Sequence, residues 1–168
     1  MKNTLLSVII PTYNEKENVE EIIDRLENAL KKISFEIIFV DDDSPDGTAK
    51  VIREQRKRKS YVSLIHRLGR RGLAGAVIEG ILSSKSEICA VIDCDLQHDE
   101  TKLPEMYSLF EKKTNLDLVV GSRFLNEGDI SVGAFSYVRK LGSSLATFYT
   151  KKLLGIKISD PLSGFFMV

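Results

Sequence analysis

A chain of 168 residues is long enough for one domain with a substantial core. Hydrophobic residues make up 43% and charged residues 29%, and 24 Lys+Arg balance 24 Asp+Glu, so bulk charge gives no argument for a nucleic-acid partner. Two cysteines, Cys89 and Cys94, match no zinc spacing and suit a reduced, cytoplasmic setting, Met1–Thr4 leads into no signal-peptide core, and no apolar run reaches the length of a bilayer span.

Leu5 to Ile10 is a near-continuous apolar run, the pattern of a strand buried on both faces of a parallel sheet. It breaks at Pro11-Thr12-Tyr13-Asn14-Glu15, after which Val19, Ile22, Ile23, Leu26 and Leu30 share one helical face. Asn14 and Glu17 have the spacing of a capping box for that helix. A second strand, Glu36 to Val40, runs into Asp41-Asp42-Asp43-Ser44-Pro45-Asp46-Gly47-Thr48. Three adjacent acids repel one another, so either this is turn chemistry or one acid accepts hydrogen bonds from the sugar or base of a nucleotide. A helix from about Thr48 to Lys59 ends in cations, as the helix dipole favours. The third strand, Val62 to Ile65, precedes Gly69, Gly72 and Gly75 and a helix from Ala76 to Leu82. That glycine spacing is not the dinucleotide fingerprint, and no phosphate-loop lysine motif occurs.

Ile88 to Ile92 reads as a fourth strand that drives into Asp93-Cys94-Asp95-Leu96-Gln97-His98. If the chain stays extended, Asp93, Asp95 and Gln97 face one side. Oxygen ligands of that kind suit a hard divalent ion, Mg²⁺ or Mn²⁺. An EF-hand is excluded, because His98 and Pro104 stand where its glycine and its glutamate belong. Leu103, Met106, Tyr107 and Phe110 mark a short helix, and Asp117 to Gly121 a strand that ends at Ser122-Arg123, placing an arginine suited to phosphate near the same rim. From Phe135 to Ile158, apolar residues interleave with Arg139, Lys140, Lys151, Lys152 and Lys157, an amphipathic pattern that fits an anionic membrane surface or a core helix with a basic edge. Leu162 to Val168 reads as a strand still in progress, and we expect the chain to be truncated there. Strands alternating with helices give an α/β domain over residues 1–168 with a mainly parallel sheet flanked by helices.

Taken together and in order, Val8 to Glu15, Val40 to Thr48, Asp93 to His98, Gly121-Ser122-Arg123 and Asp160-Pro161-Leu162-Ser163-Gly164-Phe165 make the chain resemble the family 2 glycosyltransferases of GT-A fold, and within them the polyprenol-phosphate mannosyltransferase branch. The resemblance implies that Pro11, Tyr13, Glu15, Val40 and Asp42 hold the nucleotide. It implies that Asp93, Cys94, Asp95 and Gln97 form the donor-phosphate and metal site, with Asp93, Asp95 and Gln97 as metal ligands and Asp95 foremost. Arg123 and Arg139 would contact phosphates of donor or acceptor and, with Asp95, form the catalytic set. Cys94 is a departure, since the family usually has alanine there, but it is small enough to leave a backbone contact intact. The implied reaction moves mannose from GDP-mannose to a polyprenyl phosphate at the cytoplasmic face of a membrane. The protein would be peripheral there, or integral if residues beyond Val168 supply transmembrane helices. A UDP-sugar transferase, such as a polyprenyl-phosphate glucosyltransferase, and a non-catalytic sugar-nucleotide-binding fragment are the alternatives. No nucleic-acid partner is expected, because no aromatic residues interleave with the basic ones for stacking.

Overall fold

The computed structural model describes residues 6–112, 116–122, 160 and 163–168. Four strands run parallel: β1 (Leu6–Thr12), β2 (Phe35–Asp41), β3 (Val62–His66) and β4 (Cys89–Val91). Between them lie α1 (Val19–Ala29), α2 (Thr48–Arg58) and α3 (Leu73–Leu82). After β4 a single 3₁₀ turn, Glu100–Lys102, leads into α4 (Leu103–Lys112). Two short strands, β5 (Val119–Val120) and β6 (Phe166–Met167), complete a six-stranded sheet of order β3-β2-β1-β4-β6-β5, in which β6 is antiparallel to both neighbours. The expected mainly parallel α/β sheet is present.

Period-two alternation sorts the apolar run of β1 onto both faces of the sheet. Leu6, Val8 and Ile10 pack with Ile37, Phe39 and Ile92 against Val19, Ile22, Ile23 and Leu26 of α1, Ile52 of α2, and Leu103 and Met106 of α4. Ile9 turns the other way and joins Ile38, Val40, Cys89 and Val91 under Ala76 of α3. Each such side chain taken wholly from water contributes about 1.5–3 kcal/mol. Both cysteines are buried free thiols, Cys89 on the α3 face and Cys94 on the other. Pro11 is tolerated in this central strand because β4 pairs with β1 only as far as Ile9, so no ladder on that side needs its missing N–H.

Three local expectations change. No capping box forms: α1 begins after Asn18, and Asn14 sits outside the helix at φ 60°. Helix α3 starts three residues earlier than its apolar spacing suggests, because Gly72 takes φ 131° and turns the chain into the helix at Leu73. The apolar run Leu162–Val168 yields only the two-residue β6, because Ser163 and Gly164 are used in packing described below. The amphipathic stretch 135–158 lies outside the described residues.

Helix α3 lies close on the sheet at Gly80, where an added Cβ would overlap Ile9 Cγ2 and come within 3.1 Å of Val40 Cγ2. Overpacking at such a position costs about 1–3 kcal/mol, against about 1 kcal/mol of helix propensity gained by alanine. Gly80→Ala is therefore expected to destabilise the fold by about 1–2 kcal/mol, seen as a lower urea midpoint with unchanged slope.

Candidate active site

The parallel strands deliver their carboxyl ends to one edge, so the loops after β1, β2, β3 and β4 meet there. The acidic stretch after β2 divides its work residue by residue. Asp41, fully buried, accepts hydrogen bonds from the Ser44 N–H (3.1 Å), the Ser44 hydroxyl (2.6 Å) and the Thr12 hydroxyl (3.3 Å). Asp46 accepts from the Thr48 N–H (2.9 Å) and hydroxyl (2.6 Å). Partial desolvation opposes ionisation of Asp46, but hydrogen bonds from the Thr48 hydroxyl and N–H and the Lys16 N–H outweigh it and hold the carboxyl below its usual range. The same loop clamps the one after β1: the successive N–H groups of Asn14, Glu15 and Lys16 donate to Ser44 Oγ (3.0 Å), Thr48 Oγ1 (3.0 Å) and Asp46 Oδ2 (3.1 Å). Ser-Pro-Asp-Gly-Thr is thus turn chemistry that also fixes the backbone beside Tyr13 and Glu15.

Asp42 has a different task. It lines a cleft of about 120 Å³ together with Pro11, Thr12, Tyr13, Leu73 and Ala76. Its Oδ1 accepts from Arg67 Nη1 (2.5 Å) and its Oδ2 from the Gly72 N–H (2.6 Å). Arg67 is only 5% exposed, and it also reaches the Gly72 carbonyl (3.1 Å) and Glu79 Oε1 (3.2 Å). Across the mouth of the cleft, the Arg71 guanidinium lies 4.6 Å from the centre of the half-exposed Tyr13 ring, a cation–π contact. Val40, in contrast, points its side chain into the core beneath α3 and is wholly buried. Strand alternation sends its side chain away from the rim, so only its backbone is open to the role expected of it. His66 is tied down as well. Arg53 Nη2 donates to its Nδ1 (2.8 Å), which assigns the ring proton to Nε2, 3.3 Å from Asp43 Oδ1.

At the end of β4 the chain does not stay extended. The strand ends at Val91, Leu96 takes φ 62°, and Asp95 Oδ1 accepts the Gln97 N–H (3.1 Å) in a tight turn. Asp93, Asp95 and Gln97 are therefore not aligned by alternation. Asp93 and Asp95 flank the buried Cys94 where the chain turns. Burial pushes the Cys94 thiol upward, and the nearby carboxylates of Glu15, Asp95 and Asp93 push it further. Among the described residues none of these three carboxylates pairs with a lysine or arginine. Glu15 accepts from Asn18 Nδ2 (2.7 Å), and Asp93 Oδ2 lies 3.2 Å from His98 Nε2. This oxygen-rich, anionic donor set fits a hard divalent cation in its chemistry. Among the described residues, no three acidic, histidine or cysteine side chains are already drawn in around a single point.

The C-terminal motif forms the wall behind Asp93. Phe165 is buried and lies 5.4 Å from the His98 ring, and Gly164 packs against the Asp93 carboxylate so closely that a Cβ there would overlap Oδ2. Ser163 Oγ donates to the Gly121 carbonyl (2.7 Å), which ties the segment to β5. Arg123 and Arg139 lie outside the described residues. Of the candidate residues, Pro11, Tyr13 and Asp42 meet at the cleft, and Glu15, Asp93 and Asp95 lie near enough to Cys94 for their charges to act on its thiol. Gln97 is exposed at the turn. The sequence reading missed Arg67, and its one signal was an arginine at a strand end before closely spaced glycines.

The model of glycosyl transferase family 2 matches residues 7–168. The dolichol-phosphate mannosyltransferase of Pyrococcus furiosus is 39% identical over 165 residues, covering 96% of this chain and 45% of that protein. The dolichol-phosphate mannosyltransferase of Saccharomyces cerevisiae is 34% identical over 166 residues, covering 95% and 59%. The chain spans about half the length of these curated relatives. The crystal structure of mannosyl-3-phosphoglycerate synthase from Rubrobacter xylanophilus superposes with a TM-score of 0.72 at 20% identity, over 98% of this chain and 53% of that one. At that identity the likeness shows the fold alone, that of the GT-A glycosyltransferases.

Proposed function

The chain belongs to glycosyl transferase family 2, and we propose that it binds GDP-mannose and serves an inverting transfer of mannose to a polyprenyl phosphate. The observation that carries this reading is the cleft walled by Pro11, Tyr13 and Asp42 at the carboxyl edge of the parallel strands, the edge at which β4 also ends before Asp93 and Asp95. Relatives named dolichol-phosphate mannosyltransferase at 39% and 34% identity support the choice of sugar and acceptor.

In this reading the cleft receives base and ribose, with the Val40 and Cys94 backbones beneath, and Glu15 holds the ribose side. Asp93 and Asp95, with Gln97, would hold Mg²⁺ or Mn²⁺, which when bound neutralises charge on the departing nucleoside diphosphate. Arg123 and Arg139 would orient the phosphates of donor and acceptor. The acceptor phosphate attacks the anomeric carbon from the face opposite the leaving group, so configuration inverts. A phosphate monoester is already anionic at neutral pH, so this step needs no general base. The engagement of both histidines fits that: His66 is held by Arg53 and Asp43, and His98 lies at Asp93.

Residues 1–168 would act as one catalytic domain, and the cationic, apolar stretch 135–158 would meet the anionic cytoplasmic face of a membrane. Among the described residues no helix is long and apolar enough to cross a membrane. The test is to incubate the protein with a polyprenyl phosphate and labelled GDP-mannose or UDP-glucose and to extract the lipid. Label from GDP-mannose is expected in the lipid. Label from UDP-glucose instead would assign a glucosyltransferase, and binding of either donor without lipid product would assign a nucleotide-sugar-binding module.

A further inference from the structure

We propose that Arg67 is a positioning residue that sets the nucleobase preference of the cleft by holding the Asp42 carboxylate in one orientation. This rests on the reading of that cleft as the donor-nucleotide site. Among the described residues, Asp42 is the only acid lining the cleft. A carboxylate has about four acceptor positions on its two oxygens. In Asp42 one position on Oδ1 is taken by Arg67 Nη1 and one on Oδ2 by the Gly72 N–H, so the group is pinned at both oxygens and keeps acceptor capacity on each.

Arg67 is in turn pinned on every side. Its Nη1 also donates to the Gly72 carbonyl, its Nε donates to Glu79, and its Nη2 lies against α3 where Gly75 has no side chain. A Cβ on Gly75 would come within 2.6 Å of that nitrogen. The Arg67 N–H closes the loop onto the Asp41 carbonyl at 2.8 Å. Lysine cannot replace this arrangement, since a point charge on a flexible stem lacks the planar fork that reaches the carboxylate, the carbonyl and Glu79 at once.

The chemical consequence is selective. A fixed acid offers paired acceptors and no donor. Guanine presents an N–H and an amino group side by side on one edge, whereas uracil presents a single N–H between two carbonyls that repel a carboxylate. An Asp42 free to rotate would lose the paired arrangement and, with it, most of the discrimination.

The experiment measures GDP and UDP affinities by calorimetry, in the presence of Mn²⁺, for the wild type, Arg67→Lys, Asp42→Asn and the double variant. The expected result is a wild-type preference for GDP that falls at least about tenfold in Arg67→Lys through weaker GDP binding, with UDP affinity changed much less. In the double variant the ratio should fall no further than in Asp42→Asn alone, because both act through one carboxylate. Equal weakening of both nucleotides would overturn the inference and leave Arg67 a structural residue. So would a wild type that binds both equally. Binding of neither nucleotide by the wild type would overturn the reading of the cleft itself, and the inference with it. Where Arg67→Lys does not fold, Glu79→Gln loosens the same guanidinium from the side away from the cleft. The GDP/UDP ratio should then fall a few-fold, and an unchanged ratio would overturn the proposal.

Discussion

Replacing Asp95 with alanine is expected to lower mannosyl transfer roughly 10³-fold while leaving the fold intact. Asp95 is exposed, and its hydrogen bond is to the Gln97 N–H of its own turn, so its removal should cost no more than about 1 kcal/mol of stability. Asp95 is one of three carboxylates whose charges act on the buried Cys94 thiol. The cost falls on whatever cation offsets that charge. Calorimetric titration with Mn²⁺ should show binding to the wild type and none to Asp95→Ala. Chelation should stop turnover in the wild type, with added Mg²⁺ or Mn²⁺ restoring it. Asp95→Asn, which keeps the turn acceptor but not the charge, should behave like alanine in metal binding. Full transfer by Asp95→Ala with an unchanged thermal midpoint would sink the assignment.

What the amino-acid order reveals about this site follows from which forces are local. Four apolar runs that each end in polar or charged residues announce buried parallel strands with a functional rim, because burial on both faces leaves no polar position until the strand ends. So β1, β2 and β4, the acids after them and the class of fold were readable. The turn that carries Asp93 and Asp95 was not. Alternation predicts a common face only for an extended chain, and a leucine at φ 62° is something no spacing rule anticipates. Asn14 carried a capping signal, yet its N–H is committed to Ser44, thirty residues away, and α1 starts later. Arg67 was invisible for the same reason: its meaning lies in Asp42 and Glu79, 25 and 12 residues distant, and an arginine before glycines reads as surface turn until its partners are known. The acidic run after β2 drew two rival readings, turn and nucleotide site. The fold engages Asp41 and Asp46 in turn hydrogen bonds and leaves Asp42 lining the cleft.

Gly164→Ala should reduce transfer by about 10²-fold, since small displacements of a positioned group have effects of that size, and should do so with little loss of stability. An added Cβ would overlap Asp93 Oδ2 and lie 2.9 Å from its Cγ. Either β6 moves or the carboxylate does. β6 is held by pairing to both β4 and β5, by Phe165 and Met167 in the core, and by the Ser163 hydroxyl on the Gly121 carbonyl. The Asp93 side chain is one-third exposed and, among the described residues, held by His98 alone at 3.2 Å, so it is the softer partner and should rotate toward water. Rotation would take it from the position that the donor diphosphate and its metal would need. A double-substitution cycle isolates the cause. If the clash acts through Asp93, then Asp93→Ala/Gly164→Ala should be no less active than Asp93→Ala, because alanine at position 93 leaves room for the new methyl group. Additive losses would show instead that Gly164 acts through β6. Gly121→Ala supplies the contrast: its Cβ would overlap the buried Phe165 ring, not a carboxylate, so its loss should register in the thermal midpoint before it registers in Mn²⁺ binding.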